Sequence, residues 1–299
     1  MLPLHLFVYN RRGYVKRLQW GMIVSVSRRC DIPRYQFDWF MEKIRAGAAE
    51  SVNPFNRNQV KRIPLVPARE GMNADDGVDA FVFWTRDPRH LLVNVDELTE
   101  RGFSFYVMVT VTGYPLILEP DMTRTSDVLN VMKDLSEKIG AERVIWRYDP
   151  VILTTVTDED FHRRNFDYLA RNLAGFVKRV IISLYDEYNA PKKRFDAMEK
   201  SSDFKMLDIG GNIHDLLADI AKIAHANNIE IQSCAGKEDF TLIGIKPGAC
   251  IDAALLERLF GIKLGGKDKN QRSNCLCCKS TDIGAYNMCE AHCVYCYAT

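Results

Sequence analysis

Long apolar runs are missing from this chain. No stretch of its 299 residues approaches the roughly 20 consecutive apolar residues of a membrane span. The first residues lack a basic stretch followed by an apolar one, so no secretory signal is expected. Charge of one sign is missing too. Forty Lys and Arg face 39 Asp and Glu for a net +1, which argues against a strongly basic nucleic-acid surface or a strong membrane surface. The local exception is residues 1–21, where Arg11, Arg12, Lys16 and Arg17 stand without an acid. Repeats, low-complexity tracts and linkers are absent, which favours one domain. What the chain does have is cysteine. Nine in a chain of this size, with no export signal, point to a cytoplasmic location and to thiols that serve metal and not disulfides.

Six of the nine lie between Cys275 and Cys296, and three close the chain as Cys289-Glu-Ala-His-Cys293-Val-Tyr-Cys296. A C-x3-C-x2-C loop has too few ligands for a closed structural zinc site, which takes four. It suits a 4Fe–4S cluster in which three irons are held by thiolates and the fourth is open to a substrate or cofactor. Cys234, Cys250, Cys275 and Cys277 supply four further thiolates, enough for a second iron–sulfur cluster or for zinc. The plainer reading of Cys234 and Cys250 is that of small buried apolar residues. Cys278, next to Cys277, is read as a bystander and His292 as a solvated loop residue. His90, His162, His214 and His225 have no ligand-like spacing, and Glu187 and Glu238 read as rim carboxylates.

Apolar, β-branched runs recur along the chain. Residues 22–27, 80–85, 103–110, 143–147, 177–183 and 229–233 read as strands, with helical patterns near 36–46, 88–100, 123–139, 158–173 and 211–227. Thr157, three residues before Asp160, reads as the N-terminal capping signal of the fourth helix. Turn residues between apolar flanks over 52–65 suggest an inserted hairpin. Sixfold alternation of strand and helix predicts an α/β fold with parallel pairing and right-handed crossovers: a (β/α) barrel, TIM-like or a partial six-unit barrel. The cysteine-rich segment, residues 268–299, should then lie over the carboxyl ends of the strands.

Those strands end in polar residues, and in a parallel barrel that end is the active face. Arg147 and Asp149, directly after the apolar Val144-Ile145-Trp146, are the leading catalytic candidates. Arg28 and Arg147 are candidates for holding an anionic group, since a guanidinium offers a planar fork of donors. The opposing reading of Arg147 and Asp149 is a structural ion pair.

With these stretches in place, the chain resembles an uncharacterised bacterial family defined only as a domain of unknown function, of the 1848 type. The likeness is carried by Met22–Pro33, Asn53-Pro-Phe-Asn56, Phe81–Pro88, Arg143–Pro150, Lys267–Arg272 and Asp282–Ala298. That family usually begins at the position of Met22, so residues 1–21 read as an extension or misassigned start and 22–299 as a single domain that includes the 275–296 segment. It usually has threonine at position 30, so Cys30 is set aside as a ligand.

The cysteine loop, with Tyr295 and Tyr297-Ala298, is also similar to that of radical S-adenosylmethionine enzymes of the spore photoproduct lyase-like branch. This resemblance implies that Cys289, Cys293 and Cys296 hold a 4Fe–4S cluster and that S-adenosylmethionine binds its open iron. Reductive cleavage would then yield a 5′-deoxyadenosyl radical that acts on an unknown substrate. It implies that Tyr295 packs against the adenine, and that an electron donor such as flavodoxin or ferredoxin is a partner. Two other functions compete. One is a metal-stabilised nucleic-acid module, less favoured, using Lys263, Lys267, Lys269, Arg272 and Lys279. The other is a barrel-type hydrolase using Asp31, Asp149 and Asp186.

Overall fold

The computed structural model describes residues 8–9, 15–16, 22–53, 56–69, 76–208, 210, 213–236 and 238–298, so most of the region read as an N-terminal extension lies outside the described residues. In chain order the elements are β1 (Val8–Tyr9), β2 (Val15–Lys16), β3 (Met22–Val26), α1 (Ile32–Tyr35), α2 (Phe37–Ala46), β4 (Ala48–Asn53) and β5 (Asn56–Pro64). Then follow β6 (Val78–Thr85), α3 (Arg89–Glu100), β7 (Phe105–Thr110), α4 (Thr125–Ile139), β8 (Val144–Val151), α5 (Glu159–Leu173) and β9 (Arg179–Leu184). The chain ends with α6 (Asn189–Ser201), α7 (Ile213–Ala226), β10 (Glu230–Cys234), β11 (Lys246–Gly248), α8 (Ala253–Phe260) and β12 (Thr281–Asp282).

Eight of these strands form one parallel sheet in the order β11-β10-β9-β8-β7-β6-β3-β12. Its six central strands are those read from the sequence, and each lies beside its neighbour in the chain. The two outer strands were not anticipated, because three and two residues are too short to show a period. The end strands β11 and β12 pair only with β10 and β3, so backbone pairing among the described residues does not close the sheet into a barrel. The expected hairpin is present as the antiparallel pair β4–β5.

Successive side chains of a strand point to opposite faces, and here both faces are buried. Val24, Phe81, Phe83, Phe105, Val107, Val144, Trp146 and Val180 share one core with the buried sides of α2, α3, α4, α5 and α7. Phe40 of α2 meets Phe81 and Phe83 edge-on, at 5.4 and 5.5 Å between ring centres. Truncating so buried a ring costs about 3–5 kcal/mol. Ile23, Val82, Trp84, Tyr106, Met108, Ile145 and Ile181 face the other way. They pack on Cys250, Ile251, Leu255, Leu256, Cys275, Cys277 and Cys278. Burial on both faces is why the strands read as continuous apolar runs.

Two local expectations need correction. The cap of α5 is Asp158, whose carboxylate accepts from Phe161 N–H at 2.7 Å. Thr157 is instead buried, its hydroxyl donating to Ile152 O and sharing a hydrogen bond with Thr154. Arg147 and Asp149 lie within β8 and not beyond its end, because that strand runs on through a register shift to Val151. Helix α6 carries only Pro191 and Phe195 as buried residues, so it has no apolar stripe that would reveal it.

Candidate functional site

The strands carry their polar ends into one cavity of about 700 Å³. Ser27, Thr85, Thr110, Arg147, Asp149, Ser183 and Cys234 line it from the sheet, and Gln271 to Ala298 supply residues from the opposite side. The terminal segment is brought back by β12, which pairs with β3 in the register Thr281↔Val24 and Asp282↔Ser25. The Asp282 carboxylate then accepts from Ser27 Oγ at 2.7 Å and from Arg28 N–H at 2.8 Å. The residues proposed for the metal and cofactor site all line this cavity: Arg28, Arg147, Asp149, Tyr295 and the cysteines at 234, 250, 275, 277, 289, 293 and 296. Lys263, Lys267, Lys269 and Lys279 of the competing nucleic-acid reading do not.

The second thiol set is assembled by strand register. β10 and β11 run parallel with Cys234 opposite Gly248, which brings Cys250 beside the strand end. The sulfurs of Cys234 and Cys250 are 3.2 Å apart. Cys277 lies close enough to both Cys250 and Cys275 for the three thiols to shift one another's ionisation. Its sulfur also accepts from Ile251 N–H at 3.3 Å. The hydrogen bond from Cys250, with help from the nearby Arg147 charge, lowers the Cys234 thiol against the opposing effect of burial. That same hydrogen bond and burial push Cys250 up to about 12. Cys278 turns away and donates to Ile251 O. The sulfur contacts are pairwise. Among the described residues no group of three or more His, Cys, Asp or Glu is arranged to hold a metal ion.

The other three thiols lie in a loop clamped from several sides. Val294 N–H donates to Leu118 O at 3.0 Å, Cys296 N–H to Cys293 O at 3.0 Å, and Ala298 N–H to the Cys296 sulfur at 3.3 Å. Arg194 of α6 donates to the carbonyls of Val294 and Cys296. Burial pushes Cys293 up to about 11, opposed by the Arg86 charge, and burial also raises Cys289. His292 is exposed and pairs with Asp121 at 2.8 Å.

Arg147 and Asp149 form an ion pair, and Ser183 Oγ donates to the same carboxylate. The guanidinium lies 4.6 Å from the ring centre of Trp84, and its Nε and the Trp84 Nε1 are buried without a hydrogen-bond partner among the described residues. Arg28 donates to Ser280 Oγ at 2.8 Å. Of the acids considered for hydrolysis, Asp186 pairs with Arg272 at 2.5 Å. Asp31 accepts from the N–H groups of Arg86 and Arg34, and burial pushes it up to about 6 against those donors.

The sequence reading missed a buried cluster behind Cys293. Arg86 donates to Glu119 at 2.8 Å and to the Tyr295 hydroxyl, while Tyr295 and Thr112 both donate to Glu119. Burial works to lower the Arg86 guanidinium, but Cys293, Glu119 and Tyr295 outweigh it and hold the group well above its ordinary value. The motif Thr85-Arg86-Asp87 at a strand end was its only visible signal. Glu119 gave none, because nothing local ties it to a residue so far along the chain.

No curated protein matches the chain. A sequence family described as a domain of unknown function, DUF1848, matches residues 23–298, and the chain belongs to that family.

Proposed function

We propose that this protein is an iron–sulfur enzyme of the radical S-adenosylmethionine type, with Cys289, Cys293 and Cys296 holding a 4Fe–4S cluster. The observation that carries this reading is that the C-x3-C-x2-C thiols and the second set of four share one cavity at the carboxyl ends of parallel strands. The donor set fits: thiolates are the ligands of such clusters, and three leave one iron open. The sequential strand order, with α2, α3, α4, α5 and α7 packed on one face and only α8 among the described helices contributing to the core on the other, supports a barrel-like curvature. Cys234, Cys250, Cys275 and Cys277 are the candidate ligands of a second iron–sulfur cluster or of zinc, for which their sulfurs would close from pairs onto one centre.

Bound to the terminal loop, the cluster supplies one electron and an open coordination site for S-adenosylmethionine. The chain's own residues do the rest. Arg147 and Arg28 orient an anionic group, with the free carboxylate of the methionine moiety as the natural partner. Asp149 accepts from hydroxyls of a bound ribose. The terminal segment covers the strand ends and limits water. Asp31, with its carboxyl near neutrality, can hold or release a proton at Oδ1 or Oδ2.

Air-free purification and reconstitution test this. The expected protein is brown, contains iron and sulfide, and cleaves S-adenosylmethionine when reduced by flavodoxin or ferredoxin. Replacing Cys289, Cys293 and Cys296 together by alanine should remove that iron and the cleavage. Full iron content in the triple variant, or a colourless protein holding only zinc, would overturn the reading.

A further inference from the structure

Burying an ion pair away from water has a desolvation cost that its own attraction often fails to offset. Arg86 and Glu119 are such a pair, with side chains 11% and 4% exposed. Their place in the fold accounts for it. Arg86 follows the last residue of β6, Thr112 and Glu119 follow β7, and Tyr295 sits between the last two cysteines of the terminal loop. The main-chain N–H of Arg86 also donates to Asp31, in the turn after β3, at 2.8 Å. The Tyr295 ring packs edge-on against Tyr114 at 6.0 Å, and the Arg86 guanidinium lies 5.5 Å from its centre. Tyr295 is thus bound by its hydroxyl and by its ring.

We propose that Arg86 is a positioning residue, which with Glu119 latches Tyr295 and so holds the Cys293–Cys296 turn against the ends of β6 and β7. Leu118 and Arg194 hold it from the loop after β7 and from α6. A fork is required, since one guanidinium nitrogen serves Glu119 and a second serves Tyr295. Lysine has the charge without that geometry.

A second consequence rests on the iron–sulfur reading. Arg86 bonds the hydroxyl of Tyr295, two residues from Cys293, and both Arg86 and Cys293 line the same cavity. A positive charge there stabilises the more negative, reduced form of a cluster bound to that sulfur, and so raises its reduction potential.

The latch is tested in the full-length, metal-free, thiol-reduced protein, by hydrogen exchange at the amides of Val294, Cys296 and Ala298. Tyr295→Phe removes only the hydroxyl and should speed exchange there at least about tenfold, while the amides of β7 stay unchanged. Arg86→Met and Arg86→Lys should do the same. Exchange within twofold of wild type in Tyr295→Phe would overturn the latch, even if the Arg86 variants failed to fold. On reconstituted protein, the potential should fall in Arg86→Met and stay near wild type in Arg86→Lys. An unchanged potential in Arg86→Met would overturn the electrostatic role. Failure of the iron–sulfur reading itself would show differently, as wild-type protein that takes up no iron.

Discussion

The sulfur of Cys234 lies 3.2 Å from that of Cys250, although the two are 16 positions apart with the turn of a 3-10 helix between them. Parallel pairing of β10 with β11 creates this contact, and Gly248 permits it. A Cβ at that position would come within 2.5 Å of Gln232 Oε1 and 2.7 Å of Gln232 Cβ. The shared hydrogen bond lowers the Cys234 thiol and, with burial, raises that of Cys250, so Cys234 is the readier of the two to ionise and attack.

Metal-free protein exposed to mild oxidant should therefore form a Cys234–Cys250 disulfide before any other. Peptide mapping by mass spectrometry would show it, with Cys278 unmodified in the same sample. Protein loaded with iron or zinc should be protected. Equal oxidation of the loaded and metal-free forms would remove these two residues from the candidate ligand set.

Arg147→Lys keeps the positive charge but loses both the fork and the flat surface stacked on Trp84. A role in holding S-adenosylmethionine predicts at least about tenfold weaker binding, or about 1.4 kcal/mol, with iron content unchanged. Equilibrium dialysis of the reconstituted protein measures it. Unaltered affinity together with a lower melting temperature would leave Arg147 and Asp149 as a structural pair.

Gly284 approaches the turn after β3 too closely for any side chain. A Cβ there would overlap Ser27 Oγ and lie 2.5 Å from Ser27 Cβ and 2.9 Å from Cys30 Sγ. Gly284→Ala should lower stability by about 2–3 kcal/mol, a fall of several degrees in Tm, by forcing β12 away from β3. Thermal unfolding checks the loss. Faster tryptic cleavage at Lys279 would show that the terminal segment has lifted.

His162 is fully buried, with one ring nitrogen at 2.7 Å from Tyr148 OH and the other at 2.9 Å from Ile152 O. Burial lowers it to about 4, from an ordinary value of 6.5. Between those values the unfolded chain binds the extra proton, so the stability carried by the neutral ring is complete above pH 6.5. It is lost as pH falls from there through about 4, by about 3 kcal/mol in all. Denaturant unfolding at pH 7 and pH 4.5 should show this loss in wild type and a shallower one in His162→Gln. Parallel pH dependence of the two proteins would show that His162 is not responsible.

Much of the sheet was legible because its signal is local. The runs around Val24, Val82, Val107, Trp146 and Ile181 are buried on both faces, so each is largely apolar and bounded by turn or helix signals, while the run around Ile231 alternates with Glu230 and Gln232. Helix α6 was not legible, because it rests on two buried residues. The strands β11 and β12 were not either, since only their neighbours β10 and β3 make them strands.

The sequence by itself determined the α/β class, the order of strand and helix, and the set of thiols and strand-end charges that line the cavity. Each depends on residue type and spacing along a few consecutive positions. Only the tertiary structure decided that the sheet has eight strands, with α2, α3, α4, α5 and α7 on one face and α8 on the other. Tertiary structure alone decided that Cys234 meets Cys250, and that Arg86 closes on Glu119 and Tyr295. Those relations join residues from 16 to 209 positions apart. Strand register and the return of the terminal segment to β3 bring them together, and no local pattern encodes either.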